Sequence, residues 1–282
     1  MKKYISFLLT FILLFVLSSC KEKLRTIKIY NCVDYIDESV LDDFVEWYEE
    51  EYGQRIAYVY DTYETNESMY NTLRTGKTDY DVCCPSDYMI QKMIRENMLE
   101  TFDFENYDLD IYKANCSPYI LNLFEQQNWT NYAACYMWGT LGIIYNPEFL
   151  GEAGDVLNED GNYEYDVNSW MDFLNPNFNN MISLKDSVRD SYCVASIIAY
   201  RDELLAHDNL DPSYNALIQD VINRTSDEAI EKAEKVLREI KPNIFGLEVD
   251  SGKGDIVTGK IAMNLAWSGD AVYSMDLAEE ED

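Results

Sequence analysis

Strand and helix patterns alternate three times between residues 26 and 97, and that alternation constrains the fold more than any other feature of the chain. Thr26-Ile-Lys-Ile-Tyr-Asn31 reads as a strand. Asp37-Glu-Ser39 opens a helix whose Val40, Leu41, Phe44, Val45 and Tyr48 form one apolar stripe, with carboxylates on the other face and Gly53 as the stop. Arg55 to Tyr60 is a second strand, Asn66 to Thr75 a helix closed by Gly76, Tyr80 to Cys84 a third, buried strand, and Asp87 to Asn97 a further helix. Parallel strands need a long crossover, so this order predicts a parallel sheet flanked by helices, an α/β fold. Ligands of such sheets sit outside the carboxyl ends of the strands. Those ends are Asn31 to Tyr35, Asp61 to Thr65 and Pro85 to Tyr88, and the pattern predicts that the three turns lie together.

A second, less regular α/β pattern begins after Tyr136-Met-Trp-Gly-Thr-Leu-Gly-Ile-Ile-Tyr145. Gly139 and Gly142 can adopt backbone angles closed to other residues, so this stretch is expected to act as a hinge between two lobes, residues 26–138 and 139–282. Beyond it, Asp160-Gly161 is a turn and Ser169-Trp-Met-Asp-Phe173 starts a helix. Thr225-Ser-Asp-Glu228 reads as a capping box ahead of a stripe of Ile230, Ala233, Val236, Leu237 and Ile240, with Glu231 and Lys235 paired one turn apart and Pro242 as the end. Asp255 to Lys260 turns into the strand Ile261 to Trp267, and Ser268-Gly-Asp270 begins a last helix. A length of 282 residues suits two domains of roughly 150 residues each.

Lys2 and Lys3 precede an apolar run from Ile5 to Leu17, too short for an ordinary membrane span but with the anatomy of a secretory signal over residues 1–19. It closes on Leu17-Ser-Ser-Cys20, which resembles the lipobox of bacterial lipoproteins, whose cysteine is lipidated and becomes the first residue after cleavage. Residues 20–25 would then be a tether, and Cys20 the membrane anchor of an exported domain. Cleavage removes Lys2 and Lys3 and takes the formal charge from −30 to −32. A field of that sign repels nucleic acid and favours cations. The other cysteines, Cys32, Cys83, Cys84, Cys116, Cys135 and Cys193, have no regular spacing and are expected to be thiols. With His207 the single histidine, no metal-binding pattern is present, and no phosphate loop or Ser/His/Asp set points to a cofactor or a catalytic triad.

Six blocks carry a resemblance. Tyr30-Asn-Cys-Val-Asp-Tyr-Ile36, Asp61 to Tyr70, Asp81-Val-Cys-Cys-Pro-Ser-Asp-Tyr-Met89, Tyr136-Met-Trp-Gly139, Asp186-Ser-Val-Arg-Asp190 and Ala266-Trp-Ser-Gly-Asp270 resemble, in the same order, the spermidine/putrescine-binding proteins of polyamine ABC importers. The resemblance covers residues 26 to 282. It implies a two-lobed, type II periplasmic-binding-protein-like fold, each lobe a mostly parallel sheet flanked by helices, with the ligand in the cleft. It also implies a non-catalytic receptor that takes polyamine and docks on the permease subunits of an ABC transporter.

A polyamine is a chain of methylenes between ammonium groups, so its site needs carboxylates for the charges and aromatic faces for the chain. By the resemblance, Asp34, Tyr35, Ser86 and Tyr88 would line the first lobe. Asp190, with Ser187 and Asp186, would meet an ammonium in the second, where Trp267 would stack on the chain. Cys32 stands where the family usually has tryptophan, which would remove an aromatic wall. The family's pattern also runs on through a Trp-x-Asp segment and late tyrosine and glutamine contacts that these 282 residues do not contain, so the resemblance implies a site open on one side. The residues taken alone also allow a receptor for another small solute, such as an amino acid or an iron chelate, or a secreted hydrolase using two carboxylates. The lipobox yields a first expectation: the protein partitions with membranes and Cys20→Ala releases it to the soluble fraction. Intact mass spectrometry of the mature protein checks this, and a mass without an acyl addition contradicts it.

Overall fold

The computed structural model describes residues 24–102, 109–147, 149–150 and 167–281. The signal segment, Cys20 and the Asp160-Gly161 turn lie outside the described residues. The chain divides into two compact units, Met1–Tyr136 and Met137–Asp282.

In the first unit, β1 (Arg25–Cys32) lies between β2 (Ile56–Tyr63) and β3 (Val82–Cys83), and both neighbours are parallel to it. The helices α1 (Ser39–Tyr52), α2 (Asn66–Arg74) and α3 (Asp87–Arg95) join these strands, and α4 (Asp110–Asn115) and α5 (Pro118–Gln126) follow. α1 ends as its sequence demands: Gly53 takes a left-handed φ of 65°, and its N–H donates to the Glu49 carbonyl. Of the expected stripe on α1, Leu41 is buried, Phe44, Val45 and Tyr48 are half-buried, and Val40 is exposed. The core is small and built of aromatic and thioether side chains, with Tyr30, Tyr63, Met69, Tyr70, Met89 and Met93 at its centre. Tyr30 stacks on Tyr80 at a centroid distance of 4.4 Å and meets Tyr63 edge-on at 5.1 Å.

β3 is shorter and less buried than Tyr80 to Cys84 suggests. Among the described residues it is an edge strand, with β1 its one neighbour, and Val82 is exposed while Cys83 and Cys84 are half-buried. Burial is still enough to push both thiols up to about 11. The six cysteines among the described residues are free thiols.

The second unit has the sheet order β4-β7-β5-β6, formed by β4 (Leu141–Tyr145), β5 (Ile182–Lys185), β6 (Ile244–Glu248) and β7 (Met263–Trp267). β5 is parallel to both β6 and β7, while β4 pairs antiparallel with β7. All four residues of β5 are buried, as expected of a strand covered on both faces. Helices α6 (Val188–Ala199), α7 (Arg201–Leu205), α8 (Tyr214–Ile222), α9 (Asp227–Ile240), α10 (Gly252–Val257) and α11 (Ser268–Glu281) are among the elements around this sheet. Phe173, Phe178, Ile182, Val194, Ile240 and Met263 are all fully inside its core.

Three local expectations shift here. Ser169 opens a 3-10 helix, Trp170–Leu174, through a reciprocal capping box with Asp172. In α9 the cap is Ser226, one residue later than Thr225, and its hydroxyl accepts from Ala229 N–H. The buried face accordingly runs through Ala229, Ala233, Val236 and Ile240 and leaves Ile230 exposed. Lys235 pairs with Glu239 rather than Glu231, and Lys232 takes Glu228. Neither Gly139 nor Gly142 has a positive φ; Gly139 is instead a close-packing position, where a Cβ would come within 2.8 Å of Ser268 Oγ.

Gly252 is a tighter case. A Cβ there would lie 2.3 Å from Asn264 Nδ2 and 2.7 Å from Glu248 Cδ, both buried side chains with little room to retreat. Gly252→Ala should therefore lower the stability of the protein by about 1–3 kcal/mol in denaturant unfolding. Gly254→Ala in the same helix, with nothing within 4 Å of the added carbon, is the control and should be neutral or stabilising. Equal stability of the two variants contradicts the packing argument.

Candidate functional site

The three parallel strands of the first unit end on one edge, and the turns that follow them are tied to one another. Val33 N–H donates to the Tyr63 carbonyl at 3.1 Å, which joins the end of β1 to the end of β2. The Tyr63 hydroxyl donates to the Cys84 carbonyl, which joins β2 to the turn after β3. Asn66 and Ser86 bond reciprocally: Ser86 N–H donates to Asn66 Oδ1 at 2.8 Å, and Asn66 Nδ2 donates to Ser86 Oγ at 2.9 Å. Beside them the Tyr88 hydroxyl donates to Glu67 Oε1 at 3.0 Å.

On the central strand's side, Asp34 takes a left-handed φ of 61°, a conformation an aspartate tolerates better than most residues. The next residue, Tyr35, accepts a hydrogen bond at its carbonyl from the Tyr136 hydroxyl. The structure thus brings Ser86 and Tyr88 into one hydrogen-bonded group and sets Asp34 and Tyr35 at the adjacent strand end. It adds two residues that the sequence reading passed over, Asn66 and Glu67. Both fall in the Asp61–Tyr70 block, at the first positions of a helix that follows a parallel strand, and that position was the available signal.

In the second unit the carboxyl ends of β5, β6 and β7 carry the polar residues. Ser187 caps α6, accepting from Asp190 N–H at 3.3 Å. Asp190 is half-buried, and burial holds its carboxyl above the usual aspartate range against four opposing influences. Those are a hydrogen bond from Ser187, the charges of Lys185 and Arg189, and a hydrogen bond from the Trp267 side chain. Ser187, Asp190 and Trp267 therefore form one cluster. Asp186 is exposed and adjoins them through its backbone, its N–H donating to the Glu248 carbonyl at 2.8 Å.

Behind this cluster lies a charge that sequence reasoning missed. Lys185 is 1% exposed, and its Nζ lies 3.0 Å from Asp270 Oδ2, 3.0 Å from Glu248 Oε1 and 3.1 Å from the Val249 carbonyl. The Asp270 and Val249 contacts are hydrogen bonds; Glu248 Oε1 is close in charge but makes no aligned hydrogen bond. The same ammonium stands 4.5 Å from the centroid of the Trp267 ring. The sequence signal was a lysine closing an otherwise uncharged strand, Ile182-Ser-Leu-Lys185.

Comparison with known proteins gives this arrangement a context. A family model described as hypothetical lipoproteins of the MG045 family matches residues 1–127. The spermidine/putrescine-binding periplasmic protein of Escherichia coli K12 is 27% identical over 252 residues, which are 88% of this chain and 60% of that protein. The putrescine-binding periplasmic protein PotF of the same organism is 28% identical over 257 residues, 91% of this chain and 62% of that one. Among solved structures, the spermidine/putrescine ABC transporter substrate-binding protein PotD of Streptococcus pneumoniae aligns with a TM-score of 0.60 at 26% identity, covering 90% of this chain and 66% of its own. In sequence and in fold the chain is similar to polyamine-binding proteins of ABC transporters. The TpPotD lipoprotein of Treponema pallidum shares the fold with a TM-score of 0.63 at 18% identity, over 91% of this chain and 67% of its own. The chain spans about three fifths of the length of the curated relatives it matches. These relatives are binding proteins, and the resemblance read from the six sequence blocks is the one the comparisons return.

The chemistry of both clusters is that of hydrogen-bond acceptors. An ammonium has three donors and no acceptor, so a group that binds it must turn oxygens or aromatic faces outward and find other employment for its own hydrogens. The hydroxyl hydrogens of Tyr88 and Tyr136, one of the two amide hydrogens of Asn66 and the side-chain donor of Trp267 are spent inside their own clusters.

Proposed function

We propose that the protein is an extracytoplasmic, non-enzymatic receptor that captures spermidine or putrescine and delivers it to the permease subunits of an ABC transporter. The observation that carries this reading is the Ser187–Asp190–Trp267 cluster: a half-buried carboxylate held by two side-chain donors beside an aromatic ring. Asp190 supplies the charge for one ligand ammonium, with Ser187 and Asp186 beside it, and Trp267 offers ring surface to the methylenes. The first unit carries its own candidate polyamine contacts, Asp34, Tyr35, Ser86 and Tyr88. Ser86 Oγ has one lone pair taken by Asn66 and one left to accept, and the Tyr88 oxygen, its hydrogen committed to Glu67, is a stronger acceptor for it. The names of the relatives support the ligand class and the transporter partner.

In this reading the two units are the lobes of the receptor. Cys20 carries the lipid that keeps the receptor at the membrane surface; among the described residues no helix is long and apolar enough to cross a membrane. A charge-assisted hydrogen bond to a carboxylate contributes roughly 1.5–3 kcal/mol, so loss of the Asp190 charge should cost more than about tenfold in affinity.

Calorimetric titration with putrescine, spermidine and a neutral sugar tests the proposal. The expected result is heat of binding for the two amines and none for the sugar, with Asp190→Asn binding the amines more than about tenfold more weakly. Affinity of the unaltered protein should also fall as pH drops through the raised Asp190 value, because only the ionised carboxylate pairs with an ammonium. Unchanged affinity in Asp190→Asn, or binding of the sugar instead, contradicts the proposal.

A further inference from the structure

A buried ammonium surrounded by two carboxylates, a carbonyl and an indole ring is an expensive object to maintain, and the capture of a ligand by Asp190 does not by itself require one. Lys185 is nonetheless fixed at three points, by Asp270, Glu248 and the Val249 carbonyl, so its position over the Trp267 ring is set by the sheet and not by rotamer choice. Its stem leaves the last residue of β5, Trp267 closes the adjacent strand β7, and Glu248 closes β6 on the other side. The ring thus has a cation held on one face and, from its edge, a hydrogen bond to Asp190.

We propose that Lys185 is a positioning residue of the binding site: its ammonium pins the Trp267 indole from one face, aims the ring's N–H at the Asp190 carboxylate, and leaves the opposite face as the one surface a ligand chain can stack on. A cation is attracted to the face of an indole ring, and a hydrogen bond at the ring edge adds a second, directional constraint. The same positive charge supports the ionised form of Asp190 against its burial. Asp190 is faced by Ser187 and Arg189 from the first turn of α6, by Cys193 one turn on, by Lys185 from β5 and by Trp267 from β7. Lys185 and Arg189 are the two cations of that set, and Lys185 acts on both the ring and the carboxylate. The inference rests on the polyamine reading of this cluster and adds to it the residue that orders the other two.

Removing Lys185 alone would strand two carboxylates inside the protein, so the test uses Lys185→Met together with Glu248→Gln, which takes away one positive and one negative charge. The glutamine oxygen can still accept the Gly252 N–H that Glu248 Oε2 now accepts. With folding verified by far-UV circular dichroism, two readouts are taken. The first needs no ligand: Trp267 emission, isolated by comparing each protein with its Trp267→Phe counterpart, should change in wavelength and become more accessible to acrylamide in the double variant. The second is putrescine titration across pH, where the double variant should bind at least about tenfold more weakly and lose binding at a higher pH than the unaltered protein, as Asp190 is left with less positive charge beside it.

A folded double variant with unaltered Trp267 emission, affinity and pH midpoint overturns the inference and makes Lys185 a purely structural ion. If the unaltered protein binds no putrescine, the polyamine reading fails on its own, and the ligand-free indole comparison then decides whether Lys185 pins the ring. If the double variant does not fold, Lys185→Arg takes its place. It keeps the charge but replaces a point ammonium with a planar fork, and the inference requires its Trp267 emission to shift.

Discussion

Parallel strands end on a common edge, and in this chain that geometric constraint assembles the polar chemistry. No residue of either cluster is adjacent in sequence to all its partners. Asn66 and Ser86 are 20 positions apart, and Lys185 and Asp270 are 85 apart. What brings them together is that each follows, or closes, a strand running in the same direction as its neighbour. The short turns beyond such strands have backbone groups that the sheet no longer satisfies, and side chains such as Asn66, Ser187 and Glu248 take them up.

Electrostatics sets the character of the second cluster. Burial raises the Asp190 carboxyl above the usual aspartate range, and donors and two positive side chains placed behind and beside it oppose that rise. The outcome is a partly desolvated carboxylate with several donors and cations around it, which is the environment the proposed ammonium partner would meet. Lys185 is itself neutralised by Asp270 and Glu248, so its charge is felt locally. The close approach of Gly252 to Glu248 and Asn264 is the packing counterpart of this arrangement, since a larger residue would displace the carboxylate that holds the lysine.

Much of this was legible in the residues. The βα alternation from Thr26 to Asn97 gave the parallel sheet, its strand ends gave the three joined turns, and the order of the six blocks gave the relatives. Boundaries moved where local signals compete: Ser226 rather than Thr225 caps α9, because two adjacent hydroxyl residues offer the same chemistry and the buried face through Ala229 selects between them. Edge position was not legible, so Val82 and Cys83 read as buried when, among the described residues, β3 has a neighbour on one side only. The Lys185 network was not legible either. A lysine, a glutamate and an aspartate far apart in sequence carry no mark of mutual burial, and only the register of β5 with β6 and β7 makes them neighbours. Nor does a tryptophan announce that one of its faces is already taken.

The central proposal is that Asp190, with Ser187 and Trp267 beside it, takes the ammonium of a polyamine. It is tested most directly by following the backbone amides of Ser187 and Asp190 and the Trp267 indole N–H by heteronuclear NMR while putrescine is added. The account predicts that these signals shift along one saturation curve. An unperturbed spectrum, or perturbations that bypass Asp190 and Trp267, would contradict it.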